Sequence, residues 1–95
     1  MSEAPEDMSL EELREEIRQI DHDIVELIAR RTYVAETIAE VKSEAGLPTT
    51  DESQESAVMD RAGRNADHFE LDPTLVKAVF RLLIELNKAE QRERR

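Results

Sequence analysis

A permanently charged arginine interrupts an otherwise apolar row on the first predicted helix. Residues that recur at spacings of 3 and 4 are apolar at nine of ten positions, and the exception is Arg31. The row consists of Leu10, Leu13, Ile17, Ile20, Ile24, Leu27, Arg31, Val34, Ile38 and Val41. Because burying an unpaired guanidinium costs several kcal/mol, Arg31 in such a row predicts a nearby anion, which a ligand could supply.

Lys42 is a second cation that this helix could present to the same ligand. At about 100° per residue, Lys42 lies within about 20° of Arg31 around the helix and about 16 Å farther along it. Ala35 and Ala39 lie between the two cations on this face. The pattern predicts a shallow floor for a small, negatively charged molecule. The alternative is two solvated cations beside alanines that serve close helix packing.

Arg14 and two amides complete the set of polar candidates. Arg14 lies about 25 Å from Arg31 along the helix, so it could grip the same molecule only from an antiparallel partner chain. Taken alone, Arg14 reads as a surface arginine paired with a neighbouring glutamate. On the last helix, Asn87 and Gln91 continue a row that starts apolar. A ligand could supply the partners that buried amides need; polarity near a fraying helix end is the alternative.

The remaining residues exclude several kinds of chemistry. His22 and His68 are isolated and have no spacing typical of a metal site. No serine, histidine and acid cluster predicts a catalytic triad, and two glycines cannot build a phosphate-binding loop. An enzyme with this sequence is therefore expected to use no metal or other cofactor and to act by positioning and electrostatics.

The chain is strongly acidic. Its 23 acidic and 13 basic residues give a net charge of −10, which argues against a nucleic-acid partner because phosphate binding needs a basic surface. The charge favours a halophilic protein, since salt screens repulsion between carboxylates; an ordinary acidic protein is the alternative. The absence of cysteine fits a reducing cytoplasm. No apolar run approaches the roughly 18 residues of a membrane span, and the acidic N-terminus does not resemble a signal peptide.

The hydrophobic periodicity predicts one all-α domain in residues 9–95, preceded by a disordered segment in residues 1–8. Ser9 and Glu12 form a capping box that begins the first helix. Gly46, followed closely by a proline, is a stop signal. The first helix is therefore expected to be long, with about 36 residues and a length of about 54 Å.

Two further helices, one short and one of medium length, are expected after the first. The short one begins near Asp51 and reaches about Ala66, although Gly63 weakens its end. The medium one begins at Asp72, its N-cap, with Pro73 in the first turn. Neither is long enough to cover the first helix, whose apolar row needs another long helix alongside. A second copy of the chain is the simplest source, so we expect a homodimer.

The ordered set of these residues resembles the all-α chorismate mutases. The residues that carry the resemblance are Leu13-Arg14-Glu15-Glu16-Ile17, Ile20-Asp21, Ala29-Arg30-Arg31, Val41-Lys42, Pro48, Asp51, Glu55 and Gln91. The resemblance extends over residues 9–92. It implies an intertwined homodimer of three-helix chains with two equivalent active sites. It also implies conversion of the dianion chorismate to prephenate, a Claisen rearrangement in phenylalanine and tyrosine biosynthesis that has no covalent intermediate.

The resemblance further implies a role for each polar candidate. Arg31, together with Arg14 of the partner chain, would bind the substrate carboxylates, for which the planar guanidinium fork is suited. Lys42 would contact a carboxylate and the ether oxygen. Gln91 would donate a hydrogen bond to the same ether oxygen, where negative charge grows as the C–O bond breaks. The remaining substrate-binding positions are Asp51, Gln54, Glu55 and Asn87.

Four residues connected with the shorter helices complete the expected site or depart from the family pattern. Asp51 and Glu55 would lie beside the ring hydroxyl. Gln54 stands where bacterial relatives usually carry arginine, which affects substrate affinity, and Asn87 stands where they often carry serine. The site of isochorismate-pyruvate lyase, which has the same scaffold, resembles the mutase site but carries fewer cations. Gln54 therefore keeps this lyase as an alternative. A non-catalytic dimeric helical module with a regulatory role is the other alternative.

Overall fold

The computed structural model describes residues 4–48 and 52–93, with side chains as far as residue 90. Its α-helices in chain order are α1 Leu10–Glu44, α2 Glu52–His68 and α3 Pro73–Glu93. They contain 35, 17 and 21 residues, and no strand occurs in the described ranges. The expected all-α class, with one long, one short and one medium helix, is therefore confirmed. The chain divides into two compact units, Met1–Arg31 and Thr32–Arg95.

The start of α1, in the first unit, is fixed by the expected capping box. The backbone N–H of Ser9 donates to Oε1 of Glu12 at 3.1 Å, and the backbone N–H of Glu12 donates to Oγ of Ser9 at 3.2 Å. Two N–H groups at the helix start thus gain partners, which stabilises the helix by about 1 kcal/mol. Pro5–Asp7 form one 3-10 turn before it, and disorder of residues 1–8 stays a prediction.

The apolar row of α1 is exposed in each unit. In the first unit five of its six apolar members are between 43% and 61% exposed, namely Leu10, Ile17, Ile20, Ile24 and Leu27, whereas Leu13 is half-buried. In the second unit Val34, Ile38 and Val41 are between 50% and 60% exposed. Contiguous apolar surface of this kind marks an interaction site in a soluble protein. Within the second unit, α2 and α3 therefore leave Val34, Ile38 and Val41 exposed, as expected for that part of the row.

The end of α1 is a Schellman motif built on Gly46. This residue has a φ of 73°, in the left-handed region that glycine adopts without strain. The backbone N–H of Leu47 donates to the carbonyl of Lys42 at 2.7 Å, and that of Gly46 donates to the carbonyl of Ser43 at 3.1 Å. These bonds satisfy two of the last carbonyls of the helix. The predicted stop signal is confirmed.

The connection between α2 and α3 uses the same motif with a different residue. Glu70 takes the left-handed conformation with a φ of 60°, and the backbone N–H of Leu71 donates to the carbonyl of Ala66 at 2.8 Å. Asp72 then caps α3, because its Oδ1 accepts from the backbone N–H of Thr74 at 2.8 Å. The N-cap prediction for Asp72 is confirmed. The predicted end of α2 near Ala66 was wrong by two residues, since α2 continues to His68.

α2 and α3 form an antiparallel helical hairpin. Glu55 near the start of α2 pairs with Lys88 near the end of α3, whereas Gly63 faces Lys77, closer to the start of α3. Small buried residues on α2 let the helices approach closely, and they are Ala62, Gly63 and Ala66. A Cβ at Gly63 would lie 2.7 Å from Cε of Lys77. Gly63 therefore makes room for the stem of Lys77, and α2 continues past it to His68; a weakening effect of Gly63 on the end of the helix stays a prediction.

The outer side of α3 carries a second exposed apolar row. Its members are between 39% and 70% exposed, namely Leu75, Val79, Leu82 and Leu86. The buried apolar side chains of the described chain are only Ala62 and Ala66, so most of its large apolar side chains lie at the surface. Among the described helices, none has an apolar stretch of the length and composition needed to cross a bilayer.

Candidate active site

Asn87 links the end of α3 to α1 within the second unit. Its side chain is only 7% exposed, and its Nδ2 donates to Oγ1 of Thr32 at 2.9 Å. Neutral polar groups in buried positions are costly unless they are hydrogen-bonded. This bond therefore fixes the rotation of α3 toward α1. Of the two alternatives for Asn87, polarity at a fraying helix end does not fit this buried position, and a partner for the amide comes from its own chain.

The next residue on α3 points to the other helix of the unit. Nζ of Lys88 lies 2.8 Å from Oε1 of Glu55 on α2, and the two side chains are 34% and 33% exposed. The end of α3 thus contacts α1 through Asn87 and α2 through Lys88. Three helices meet at these two consecutive residues, and Glu55 is one of the predicted substrate-binding positions.

Lys42 lies on a sheltered face of α1 in the same unit. The sheltered residues in this part of α1 are Thr32, Ala35, Glu36, Ala39 and Lys42, whereas the residues between them are exposed. Helical geometry places these five within about 120° of the circumference. The face combines two small residues, a half-buried cation and the contact to α3, which is a suitable floor for a compact anionic molecule. The alanines predicted to form this floor are half-buried.

Glu36 is a buried carboxylate that the sequence did not single out. It is 8% exposed and lies one helical turn from Thr32 on the sheltered face. Lys88 was also missed. A signal for Lys88 existed, because it falls four residues after Ile84 at the inner edge of α3, where a cation is unusual. The choice of Thr32 and Glu55 as partners had no sequence signal, since it depends on how the helices pack.

The arginines of the first unit have different surroundings. Arg14 is exposed, and its Nη1 lies 3.3 Å from Oε1 of Glu11, with side-chain exposures of 60% and 79%. This is the local surface pairing weighed as the alternative for Arg14, and such pairs contribute little stability. Arg31 is half-buried and takes part in an interaction. Arg31 is therefore partly shielded from solvent at its position on the apolar row.

Three predicted positions near the ends of α2 and α3 complete the description of the site. Gln54 is exposed in the first turn of α2. Asp51 lies outside the described residues, and so does the side chain of Gln91, whose backbone belongs to α3 one turn after Asn87. No cluster of three or more His, Cys, Asp or Glu side chains within the described ranges is arranged to hold a metal ion.

Comparison with known proteins places this arrangement in context. The model of a family described as chorismate mutase type II matches residues 13–92. A curated chorismate mutase from Methanocaldococcus jannaschii is 36% identical over 84 residues, covering 88% of this chain and 85% of the relative. A curated 3-dehydroquinate dehydratase from Pyrobaculum aerophilum is 35% identical over 75 residues, which are 79% of this chain and 25% of that protein. The matched range includes the sheltered face of α1 and the meeting point of the three helices.

Proposed function

The chain belongs to the type II chorismate mutase family and has the isomerase activity of that family, and we propose that it forms prephenate from chorismate by positioning and electrostatics alone. The observation that carries this proposal is the sheltered face of α1, which ends in the half-buried Lys42 and belongs to the matched residues 13–92. Two alanines on this face leave space beside the cation, as a compact dianion requires.

The reaction needs no group to transfer a proton or to form a covalent bond. Within one molecule, the ether C–O bond of chorismate breaks while a new C–C bond forms, and electron density accumulates on the ether oxygen. A cation and a hydrogen-bond donor at that oxygen lower the barrier if they bind the transition state more strongly than the substrate. Lys42 and Gln91 are the residues we assign to this role. The folded substrate conformation supplies a further entropic contribution.

Arg31 and Arg14 are assigned to the two substrate carboxylates. Arginine suits this role because its planar fork can donate two parallel hydrogen bonds to one carboxylate. The geometry requires Arg14 to come from a partner chain, since it lies about 25 Å from Arg31 along one helix. The exposed, local pairing of Arg14 with Glu11 supports this assignment, because such a pair can be exchanged for a substrate carboxylate at little cost.

An intertwined homodimer follows from the same requirement. Five of the six apolar residues of the row in the first unit are between 43% and 61% exposed, and a second copy of α1 offers a complementary row of the same length. Closed twofold dimers are the most common oligomers, and a twofold dimer of this kind would contain two equivalent sites. The exposed row therefore supports a dimer in which Arg14 of each chain reaches the site of the other chain.

The remaining residues would contact the ring hydroxyl of the substrate or hold the helices of the site in place. Glu55, together with Asp51, is assigned to the ring hydroxyl, and Gln54 to the rim. Asn87 would hold α3 against α1 through Thr32, so that Gln91 one turn later is aimed at the ether oxygen. The product would serve the synthesis of phenylalanine and tyrosine in the cytoplasm. The net charge of −10 suits activity in high salt.

The direct experiment is to incubate the purified chain with chorismate at low and at molar salt. Prephenate should form at a steady rate without added metal or cofactor, and free pyruvate should not accumulate. Release of pyruvate instead of prephenate would contradict the mutase mechanism and indicate lyase chemistry. Absence of turnover at both salt concentrations would contradict the proposed function as a whole.

A further inference from the structure

The ion pair between Lys88 and Glu55 differs from the helix-surface pairs of α1. Arg14–Glu11 and Arg18–Glu15 are local pairs, three residues apart, with side chains 60% to 79% exposed. Lys88–Glu55 instead joins two helices at 2.8 Å, with exposures of 34% and 33%. A pair held at this distance with about two thirds of its side-chain surface sheltered is ordered better and screened less than a surface pair.

The position of this pair is adjacent to the candidate active site. Lys88 directly follows Asn87, which contacts α1 through Thr32. Residues 52–60 at the start of α2 contain no lysine or arginine, so the positive charge in this part of the hairpin comes from α3. Without Lys88, the carboxylate of Glu55 would face a dianionic substrate as an uncompensated negative charge.

We propose that Lys88 is a positioning residue that holds Glu55 as an oriented, charge-compensated acceptor for the hydroxyl group of the substrate. The inference rests on the proposed function and adds a determinant of specificity to it. Nζ of Lys88 engages Oε1 of Glu55, so that Oε2 is directed to accept a hydrogen bond from a substrate hydroxyl. Lys88 also offsets the repulsion between Glu55 and the carboxylates of the substrate. The pair thus selects a ligand that is both anionic and hydroxylated.

The test is a steady-state comparison of Lys88→Met, Lys88→Arg and Lys77→Met in the full-length chain. Lys88→Met removes the charge and keeps the stem, so KM for chorismate should rise by about tenfold, the effect of losing one hydrogen bond to a charged group. The value of kcat should stay within about twofold, as expected when binding is lost equally from substrate and transition state. Lys88→Arg should retain a KM close to that of the wild type.

Lys77→Met is the matched control because Lys77 also extends from α3 toward α2. Its stem lies against Gly63, with Nζ 3.4 Å from the position of a Cβ there, and no carboxylate pairs with it in the described structure. This variant removes the same charge from the same helix at a distance from Glu55. Its KM should equal that of the wild type.

A substrate analogue separates positioning from a purely structural contribution. The wild type should discriminate against the methyl ether of the ring hydroxyl, which cannot donate a hydrogen bond, and Lys88→Met should lose most of this discrimination. Glu55→Met tests the other partner because it removes the acceptor, and it should lose this discrimination as well, including in the event that Lys88→Met does not fold. A lower urea midpoint in Lys88→Met with unchanged KM and unchanged discrimination would overturn the inference while leaving the proposed function intact. No turnover by the wild type would overturn the proposed function, and the inference with it.

Discussion

The α2–α3 hairpin and the apolar row of α1 both carry apolar side chains but differ in what covers them. In the hairpin, Ala62 and Ala66 are each 2% exposed, and Gly63 admits the stem of Lys77. Along the row of α1, five of the six aliphatic side chains of the first unit are at least 43% exposed. Small residues let two short helices of one chain bury each other, whereas a long row of large side chains needs a surface of its own length.

The same difference in covering applies to the residues proposed for the site. Asn87, Lys88 and Glu55 have partners within the hairpin and its contact to α1, so this part of the site is organised by one chain. Arg14 lies on the part of α1 whose apolar row is mostly exposed. Its exposed pair with Glu11 leaves Arg14 available to another molecule. We infer that one half of each site is preformed and the other half arrives with the second copy.

The largest expected effect on dimerisation and activity comes from placing a charge within the exposed apolar row of α1. Ile24→Asp places a charge in the middle of the row, where a partner helix would bury it at a cost of several kcal/mol in each copy. We expect loss of the dimer in sedimentation equilibrium and loss of chorismate mutase activity. The matched control is Val25→Asp, because Val25 is 64% exposed but lies outside the row; it should remain dimeric and active. A dimeric, active Ile24→Asp would contradict the role of the row.

A smaller effect, confined to catalysis, is expected for Lys42→Ala. This variant should remain a folded dimer, since neither the row nor the hairpin contacts are altered. It should lose at least about 3 kcal/mol of transition-state stabilisation in kcat/KM, by analogy with removing an oxyanion donor. Lys77→Ala on α3 provides a cation-removal control that should leave kcat/KM unchanged. Near-normal activity of Lys42→Ala would exclude contact between Lys42 and the ether oxygen.

Gln91→Glu should change the pH dependence more than the stability of the hairpin. An amide does not titrate, so the wild type should have a broad profile through neutral pH. A carboxyl group donates a hydrogen bond only when it is protonated, so activity of the variant should fall as pH rises through its pKa, which is about 4.3 for an unperturbed glutamate. The optimum should therefore move to acidic pH in a kcat/KM profile. A flat profile would show that Gln91 does not touch the ether oxygen.

The smallest effects concern the two Schellman motifs, which end α1 and α2 with different residues. Gly46 and Glu70 both have positive φ values, 73° and 60°. Gly46→Ala should lower the free energy of unfolding by about 1 kcal/mol, and Glu70→Gly should raise it by up to about 1 kcal/mol. Urea titrations at one protein concentration measure both changes. Equal signs for the two substitutions would contradict the backbone explanation.

Local features of the fold were predictable because they depend on neighbours in sequence. The capping box of Ser9 and Glu12, the N-cap at Asp72 and the stop at Gly46 each follow from one side chain or one backbone conformation. The end of α2 was misplaced because Glu70 takes a conformation that its residue type does not signal. Exposure of the apolar row was also predictable, since the helix lengths alone showed that two short helices cannot cover a row of this length.

The sequence pointed to residue types for the candidate site, whose assignment stays a prediction, but not to the contacts between them. Periodicity identified Arg31 and Lys42, and the family resemblance added Glu55 and Gln91. The partnerships of Asn87 with Thr32 and of Lys88 with Glu55 depend on the rotation and spacing of packed helices, which side-chain spacing within one helix does not determine. A buried carboxylate such as Glu36 is equally hard to foresee, since glutamate in a helix is exposed in most proteins.

We propose that each site combines Lys42 of one chain with Arg14 of the other, and refolding two inactive variants together tests this directly. Arg14→Ala and Lys42→Ala are each prepared, shown to be nearly inactive, then mixed in equal amounts, unfolded and refolded together. Random pairing makes about half of the dimers mixed, and each mixed dimer has one intact site of two, so activity should return to about a quarter of the wild-type value. If both residues acted within the same chain, every site in the mixture would lack one of them, and activity would stay at the level of the separate variants.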